Sequence, residues 1–440
     1  MSEYFSSHLP YSDRVGRVGD AVKRFKQRYS ALWWEISTDF PQLAKTYNKK
    51  QQRKTENEVS RYVDEVSDKL REYSPDKDKQ ELWLEEFVAG FKEFGKKTLN
   101  MSNLYLDSVF KEGFINSTRM FIENVKRFDP TLEIEDIYQA LRNVWIMNSL
   151  QIYFNLDLKH SDSIFAYSMI YPYTDNYIDD VSESLEAKLS LIGKLKNWLE
   201  GRHSPCSNSQ EGKIFKLISI IERQYDRDLY PGVYQSLLAI FNAQIKSLIQ
   251  QKKQSLPYEI DILDISFEKG GTSVLADGFL VNGNLDEDQA DFCFGFGVFL
   301  QLTDDIQDMS QDKRNNHMSI FSQTAGKYHL DALANKLLNF IPEVVNVKLS
   351  KQTAGHKSLR ELILENCYFL VLEAIGKNRE YFSEEYVKRM QCHFPMRFSF
   401  LKELRKKMQE KILDKRRHVI DLDLISAFLL TAASRTISGR

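Results

Sequence analysis

Helical periodicity runs through nearly the whole chain and is the feature that most limits its fold. Apolar residues recur at three- and four-residue intervals, as in Phe87, Phe91 and Phe94, a spacing that places them on one face of a helix. Only 10 prolines and 19 glycines occur in 440 residues, so few positions break a helix, and residues that favour helices are plentiful. The sequence therefore predicts an all-α fold.

The charge balance and the cysteines exclude several classes of protein. The 60 basic and 62 acidic residues leave a net charge of -2, which argues against a nucleic-acid partner. No stretch reaches the ~18 apolar residues that a membrane span requires, and residues 1–30 show no secretory signal. The four cysteines are scattered without metal-binding spacing, which favours a cytoplasmic location.

No internal repeat or convincing interdomain linker is visible, so the sequence favours one principal domain. Residues 1–125 carry no chemical signature and are expected to form helices of unassigned role that pack on the rest. Residues 126–440 contain every motif with readable chemistry. We therefore predict that they form the functional helical domain.

A first acidic cluster follows the apolar stretch 164–173. Asp175 and Asp179 are four residues apart, so a helix presents them on one face, with Asn176 and Asp180 forming a second stripe beside them. A surface helix would show polar residues on alternate turns of the preceding segment, whereas this segment is apolar and aromatic. The cluster is thus better explained by the mouth of an apolar cavity than by a solvated helix face.

A second acidic cluster follows the aromatic stretch 292–302. Asp304, Asp308 and Asp312 recur at four-residue spacing, and Asp305 lies three residues before Asp308. This spacing predicts four acids on one side of one helix. The alternative is again a solvated helix face, and the apolar context again disfavours it.

Acids this close together require a cation. Like charges ~4 Å apart repel by ~4 kcal/mol at an effective dielectric constant near ~20. Magnesium fits best, because it uses one or two carboxylates and completes its coordination with water and substrate phosphate oxygens. A diphosphate is the expected ligand, because its oxygens can complete the coordination of magnesium. The predicted metal ligands are Asp175, Asn176, Asp179, Asp180, Asp304, Asp305, Asp308 and Asp312.

Several basic residues are candidates to hold the diphosphate. The segment 269–273 reads as a glycine-rich loop with one lysine and two hydroxyls, although a plain turn explains it equally well. Side chains that donate several hydrogen bonds suit phosphate oxygens, and a solvated helix end is the alternative for those near residue 314. The candidates are Arg223, Arg227, Lys269, Lys313 and Arg314.

The two acidic clusters resemble the paired motifs of the class I isoprenoid synthases. Residues 175–180 resemble the first aspartate-rich motif, both in its D-N-x-x-D form and in the D-x-x-x-D-D form of squalene-type enzymes. Residues 297–308, with Gln301 and the following D-D-x-x-D, resemble the second motif. The resemblance covers residues 164–317, and the remainder of the chain is unassigned.

This resemblance implies a fold and a chemistry. The fold would be an antiparallel helical bundle around a central apolar cavity, and three magnesium ions would bridge a prenyl diphosphate to both motifs. Asp175, Asp179, Asp304 and Asp308 would be the catalytic acids, and departure of diphosphate would leave an allylic cation. Candidates for the cavity wall are Phe165, Tyr171, Tyr173, Phe296, Phe299 and Gln301, with ordinary core packing as the alternative for each aromatic.

Departures from the family pattern bear on the reaction. Chain-elongating members usually carry an arginine pair after the first motif, but residues 181–188 contain no arginine. This favours a terpene synthase (cyclase), whereas the form of the second motif supports a prenyltransferase. Asn176 leaves open a non-catalytic protein that binds prenyl lipids. A hydrophobic substrate is compatible with transient contact between the protein and a membrane surface. The sequence leaves the oligomeric state open, and a homodimer is among the alternatives.

Overall fold

Helices make up the regular secondary structure in the residues that the computed structural model describes, apart from one isolated bridge between Ala325 and Tyr328. The predicted all-α class is confirmed. The described residues are 18–71, 77–98, 112–179, 183–251, 260–347, 356–408 and 410–411.

The α-helices of this part of the chain are numbered here in order. They are α1 Val18–Glu35, α2 Lys49–Arg71, α3 Lys77–Thr98, α4 Glu112–Phe128, α5 Ile134–Tyr153, α6 Asp162–Asp179, α7 Leu185–Leu199, α8 Ser209–Gln224, α9 Pro231–Ser247, α10 Ile262–Asn282, α11 Glu287–Gln307, α12 Met309–Asn315, α13 Ile320–Thr324, α14 Asp331–Val345, α15 His356–Lys377, α16 Glu384–Gln391 and α17 Phe398–Met408. Among the described residues, no helix is both long enough and apolar enough to cross a membrane.

Contacts between helices divide the chain into two compact units. The first unit contains the described residues within 1–35, 116–301 and 346–353, and the second contains those within 36–115, 302–345 and 354–440. Segments from both sides of residue 125, the predicted domain boundary, enter the first unit, and the predicted division into domains stays a prediction. The first acidic motif belongs to the first unit, and the acids of the second motif belong to the second.

Glycines bring α10 and α11 close together in the first unit. A Cβ at Gly270 would collide with the backbone of Gly297, and a Cβ at Gly297 would collide with the carbonyl oxygen of Gly270. An added Cβ at Gly271 would lie 2.5 Å from the ring of Phe294. The predicted loop at residues 269–273 is therefore wrong. The segment lies inside α10, and its glycines allow two helix backbones to approach because they lack a side chain.

A four-membered ionic cluster joins α1, α9 and α10 in the first unit. Lys26 Nζ lies 3.1 Å from Asp264 Oδ2 and 2.9 Å from Glu268 Oε2. Lys246 Nζ lies 2.8 Å and 2.7 Å from the same two atoms. Burial raises the pKa of each carboxyl, but hydrogen bonds from the two lysines offset this, so both pKa values lie below their ordinary range. The cluster stabilises the packing of α1 on the first unit.

Polar contacts also position α2 within the second unit. Arg397 Nε donates to both carboxylate oxygens of the buried Glu56, at 2.9 Å each. Gln52 Nε2 donates to the carbonyl oxygens of Gln391 at 2.7 Å and Phe394 at 2.9 Å. Helices α2 and α3, to which the sequence assigned no role, thus belong to the unit that carries the acids of the second motif.

Candidate functional site

The first acidic motif lies at the end of α6. The backbone is helical through Asp175, Asn176 and Asp179, which puts Asp175 and Asp179 in the predicted four-residue register. The side chains of these three residues, and all of Asp180, lie outside the described residues. Their part in metal binding therefore stays a prediction.

A proline lies inside α6 three residues before the motif. Pro172 lacks an N–H group and crowds the carbonyl four residues earlier, so it weakens the helix locally. Gln210 Nε2 donates to the carbonyl oxygen of Tyr173 at 2.8 Å, and the Thr174 hydroxyl donates to that of Ile170 at 2.9 Å. Side chains thus supply hydrogen bonds to backbone carbonyls on both sides of the proline.

Asp129 anchors the same turn of α6. Its Oδ2 accepts hydrogen bonds from Tyr173 Oη and Lys213 Nζ, each at 2.5 Å, and its Oδ1 accepts one from Thr131 Oγ1 at 2.7 Å. Burial raises the pKa of Asp129, but these hydrogen bonds offset it, so the pKa lies well below its ordinary range. Burial, followed by the bond to Asp129, raises the pKa of Tyr173. The ionised carboxylate of Asp129 therefore links the turn of α6 before the motif, at Tyr173, to Lys213 of α8.

An apolar pocket lies in the first unit between α6, α7 and α9. Tyr171 lines the pocket and precedes Asp175 by four residues, which is about 6 Å along the helix axis. The cavity has a volume of about 40 Å³, so in this conformation it is small. The residues that line it are Tyr167, Ile170, Tyr171, Thr174, Leu195, Leu199, Leu237, Ile240, Phe241 and Gln244.

The second acidic motif does not lie on one continuous helix. Helix α11 ends at Gln307, Asp308 lies between helices, and α12 begins at Met309. Asp304 is exposed, Asp305 is buried, and Asp308 and Asp312 are half-buried. The prediction of four acids on one side of one helix is therefore wrong, since the backbone breaks within the motif and the acids differ in environment.

Two acids of the second motif have partners in the second unit. Lys377 Nζ lies 3.7 Å from Asp308 Oδ1, and burial lowers the pKa of Lys377 while Asp308 offsets part of that shift. The Ser319 hydroxyl donates to Asp312 Oδ2 at 3.4 Å. The carboxylate of Asp308 thus lies near the positively charged side chain of Lys377.

The oxygen-rich composition of the second motif is compatible with magnesium. Within the described part of the chain, no group of three or more His, Cys, Asp or Glu side chains is arranged to hold a metal ion. Magnesium does not require one, because it usually takes one or two carboxylates and keeps water or phosphate oxygens. Asp304 and Asp308, one helical turn apart and both accessible to solvent, suit that mode of binding.

The candidate diphosphate ligands differ in the number of contacts that their side chains make within the protein. Arg227 donates to Glu222 and to the carbonyl oxygens of Leu199 at 2.6 Å and Trp198 at 2.8 Å, and its guanidinium lies 4.0 Å from the ring centroid of Tyr234. These contacts give Arg227 a structural role. Its predicted role in diphosphate binding is untested.

The other candidate cations occupy varied positions. Lys313 Nζ donates to the carbonyl oxygen of Ala325 at 2.8 Å. Arg223 and Arg314 are exposed at helix ends, and Lys269 is half-buried within α10. Their roles in binding diphosphate stay predictions.

Among the predicted cavity-wall residues, Tyr171 lines the described pocket, and its hydroxyl lies 2.7 Å from Ser273 Oγ. Phe165 packs with its ring centroid 5.8 Å from that of Phe121. Tyr173 is bound to Asp129. These contacts place Phe165 and Tyr173 in packing around α6.

Two further predicted wall residues belong to an aromatic stack on α11. The ring centroid of Phe296 lies 5.6 Å from that of Phe292 and 6.1 Å from that of Phe299. Gln301 lies beside Gly270, where an added Cβ would come within 2.5 Å of the Gln301 Cβ. A role for Phe296, Phe299 and Gln301 in substrate binding stays a prediction.

Sequence reasoning missed several residues that shape these sites. Leu237 and Phe241 line the pocket from α9, and their helical spacing could have indicated a buried face. Asp129, Lys213 and Lys377 act through contacts with residues far away in the chain, and no local signal marks them.

Comparisons of the chain with family models, with curated proteins and with solved structures found no match. The functional interpretation therefore depends on the residues themselves and on the geometry of each unit.

Proposed function

We propose that this protein is a magnesium-dependent enzyme that ionises a prenyl diphosphate, in the manner of class I isoprenoid synthases. The observation that carries the proposal is the apolar pocket beside α6. Tyr171 and Thr174 line it, and the first acidic motif begins at the next residue, Asp175. If the walls of this small pocket move apart to admit a hydrocarbon tail, the diphosphate of the substrate would lie towards the motif.

The acids of both motifs would hold the magnesium ions. In this proposal Asp175, Asn176, Asp179 and Asp180 act in the first motif, and Asp304, Asp305, Asp308 and Asp312 act in the second. Bound magnesium supplies Lewis-acid stabilisation of charge on the leaving diphosphate. The family resemblance implies three ions and an antiparallel helical bundle, and both belong to the proposal.

The residues of the chain would bind the substrate and exclude water. The C–O bond to diphosphate breaks, both electrons leave with the oxygen, and an allylic cation remains. Such a cation survives only where water is excluded. Tyr167, Tyr171 and Phe241 line the pocket, and their π faces can stabilise positive charge. Exposed cations such as Arg223 and Arg314 are available for the departing diphosphate.

Cyclisation of one substrate is the preferred reaction. Residues 181–188 contain no arginine, although chain-elongating relatives usually carry an arginine pair there. The second motif retains the D-D-x-x-D form, which supports condensation of two prenyl units as the second candidate. A cytoplasmic location, favoured by the scattered cysteines, is part of the proposal.

Incubation of the purified chain with magnesium and a series of prenyl diphosphates tests the proposal. Each reaction is run with and without isopentenyl diphosphate, and both inorganic diphosphate and hydrocarbon products are measured. Products formed without isopentenyl diphosphate support cyclisation, and products that require it support elongation. Absence of diphosphate release under every condition contradicts an enzyme and favours a protein that only binds prenyl lipids.

A further inference from the structure

The side chain of Asn378 contacts both the end of α11 and the start of α12 in the second unit. Its Nδ2 donates to the carbonyl oxygens of Ile306 at 2.8 Å and Gln307 at 3.4 Å. Its Oδ1 accepts a hydrogen bond from the Ser310 hydroxyl at 3.1 Å. Asn378 exposes only 1% of its surface. One buried amide therefore bonds both helices across Asp308.

The backbone departs from the helical path at this point. Asp308 has φ -96° and ψ 4°, against about -63° and -42° in a regular helix. The last carbonyls of a helix lack partners within it and must find them elsewhere. Asn378 provides such partners for Ile306 and Gln307. This side chain thus contributes, with the backbone hydrogen bonds of Asp308, to the direction in which α12 leaves α11.

The preceding residue contacts the side chain of the motif. Lys377 Nζ lies 3.7 Å from Asp308 Oδ1. Two consecutive residues, Lys377 at the end of α15 and Asn378 directly after it, therefore contact the carboxylate of Asp308 and the backbone beside it. This double contact favours a role in the motif over general packing.

We propose that Asn378 is a positioning residue for the second acidic motif. It holds the backbone at Asp308 so that the carboxylates of Asp304 and Asp308 bind one divalent cation together. Asp312 follows the break and accepts a hydrogen bond from the Ser319 hydroxyl at 3.4 Å. The inference depends on the proposed function, because it assumes that the second motif binds a cation.

A general structural role would give a different result, and the second unit offers a matched control. Asn335 exposes 7% of its surface. Its Nδ2 donates to the carbonyl oxygen of Thr38 at 2.8 Å, and its Oδ1 accepts from the Tyr386 hydroxyl at 2.8 Å. It makes the same kinds of hydrogen bond as Asn378 without contacting the motif.

The experiment measures cation binding directly. The full chain is titrated with Mn²⁺ in the presence of inorganic diphosphate, and free Mn²⁺ is followed by electron paramagnetic resonance. We expect Asn378→Ala to weaken Mn²⁺ binding about tenfold or more, as loss of a residue that orients metal ligands usually does. Asn335→Ala should lower the Tm to a similar extent and leave Mn²⁺ binding unchanged.

Ser310→Ala provides a milder variant if Asn378→Ala fails to fold. It removes one hydrogen bond of Asn378 and should weaken Mn²⁺ binding about threefold, the effect of one neutral hydrogen bond. Equal Mn²⁺ affinity in the unaltered chain and in the Asn378 or Ser310 variant overturns this inference alone. An equal loss in Asn335→Ala also overturns it. If the unaltered chain binds no Mn²⁺, the proposed function fails and this inference fails with it.

Discussion

The carboxylate of Asp129 accepts a hydrogen bond from Tyr173 Oη at 2.5 Å, although 44 residues separate them in the chain. Tyr173 lies two residues before Asp175 on α6, and Lys213 of α8 donates to the same oxygen of Asp129. The turn that leads into the first acidic motif is therefore held by a buried charge that lies outside α6 and is shared by Tyr173 of α6 and Lys213 of α8.

Removal of this charge should destabilise the first unit. Asp129→Asn leaves Lys213 and Tyr173 without a charged acceptor and should lower the free energy of unfolding by about 2 kcal/mol near pH 7. Because the pKa of folded Asp129 is lowered, its contribution is present above the ordinary value of ~3.9 and is lost as the pH falls through the folded pKa. Urea unfolding at pH 7 and below pH ~4 measures both effects. The exposed Asp157→Asn is the control, and an equal loss there contradicts the prediction.

The acids of the two motifs should be needed for turnover and dispensable for folding. We expect Asp175→Ala and Asp304→Ala each to reduce magnesium-dependent diphosphate release at least ~100-fold, the scale on which loss of an electrostatic catalyst usually acts. The circular dichroism spectrum should be unchanged. Asp228→Ala, at an exposed position, should retain turnover. Full activity in both motif variants would refute their assignment as magnesium ligands.

The pocket in the first unit should set the length of the hydrocarbon chain. Its volume of about 40 Å³ is small, so every prenyl tail requires its walls to move, and a longer tail requires a larger movement. Phe241→Leu shortens a buried side chain of the wall and should shift kcat/KM towards longer prenyl diphosphates. Phe267→Leu changes a buried phenylalanine of the same unit that is not among the pocket-lining residues, and it should leave this preference unaltered. An unchanged preference in Phe241→Leu would show that the tail binds elsewhere.

Asp277 should make folding depend on pH. It is fully buried, burial raises its pKa well above the ordinary value, and the neighbouring Asn143 lowers it in part. The folded chain therefore retains a proton that the unfolded chain releases, and stability falls as the pH rises above ~3.9 towards the folded pKa. Asp277→Asn should remove this loss, with a gain of about 1.4 kcal/mol for each pH unit within that range. Chemical unfolding at pH 4 to 8 measures the gain, and a pH-independent difference would contradict it.

The contact between Gly270 and Gly297 should tolerate no side chain. Gly270→Ala places a Cβ against the backbone of Gly297, so α10 and α11 must separate, and we expect a loss of more than ~3 kcal/mol. Gly193 also lies within a helix, but apart from its chain neighbours and the backbone of its own helix no atom lies within 4 Å of an added Cβ there. Gly193→Ala should stabilise by up to ~1 kcal/mol. Thermal unfolding compares the two variants, and a similar Tm in both would show that the helices can separate at little cost.

Local features of the chain were predictable, and the local predictions failed where tertiary packing outweighs local preference. Gly270 and Gly271 suggested a loop, because glycine disfavours helices in isolation. Packing against Gly297 and Phe294 outweighs that preference. The break at Asp308 has no proline or glycine to mark it, and the hydrogen bond from Asp308 N to the carbonyl oxygen of Asp304 continues across it at 2.8 Å.

By itself, the sequence determined the all-α class and the helical backbone from Asp175 to Asp179, because periodicity and helix propensity act over a few residues. Tertiary structure alone decided that Tyr173 meets Asp129, that Phe241 lines the pocket, and that Asn378 reaches Ile306 across 72 residues of chain. Such contacts depend on how distant helices pack, and the spacing of residues along the chain carries no information about which side chains meet.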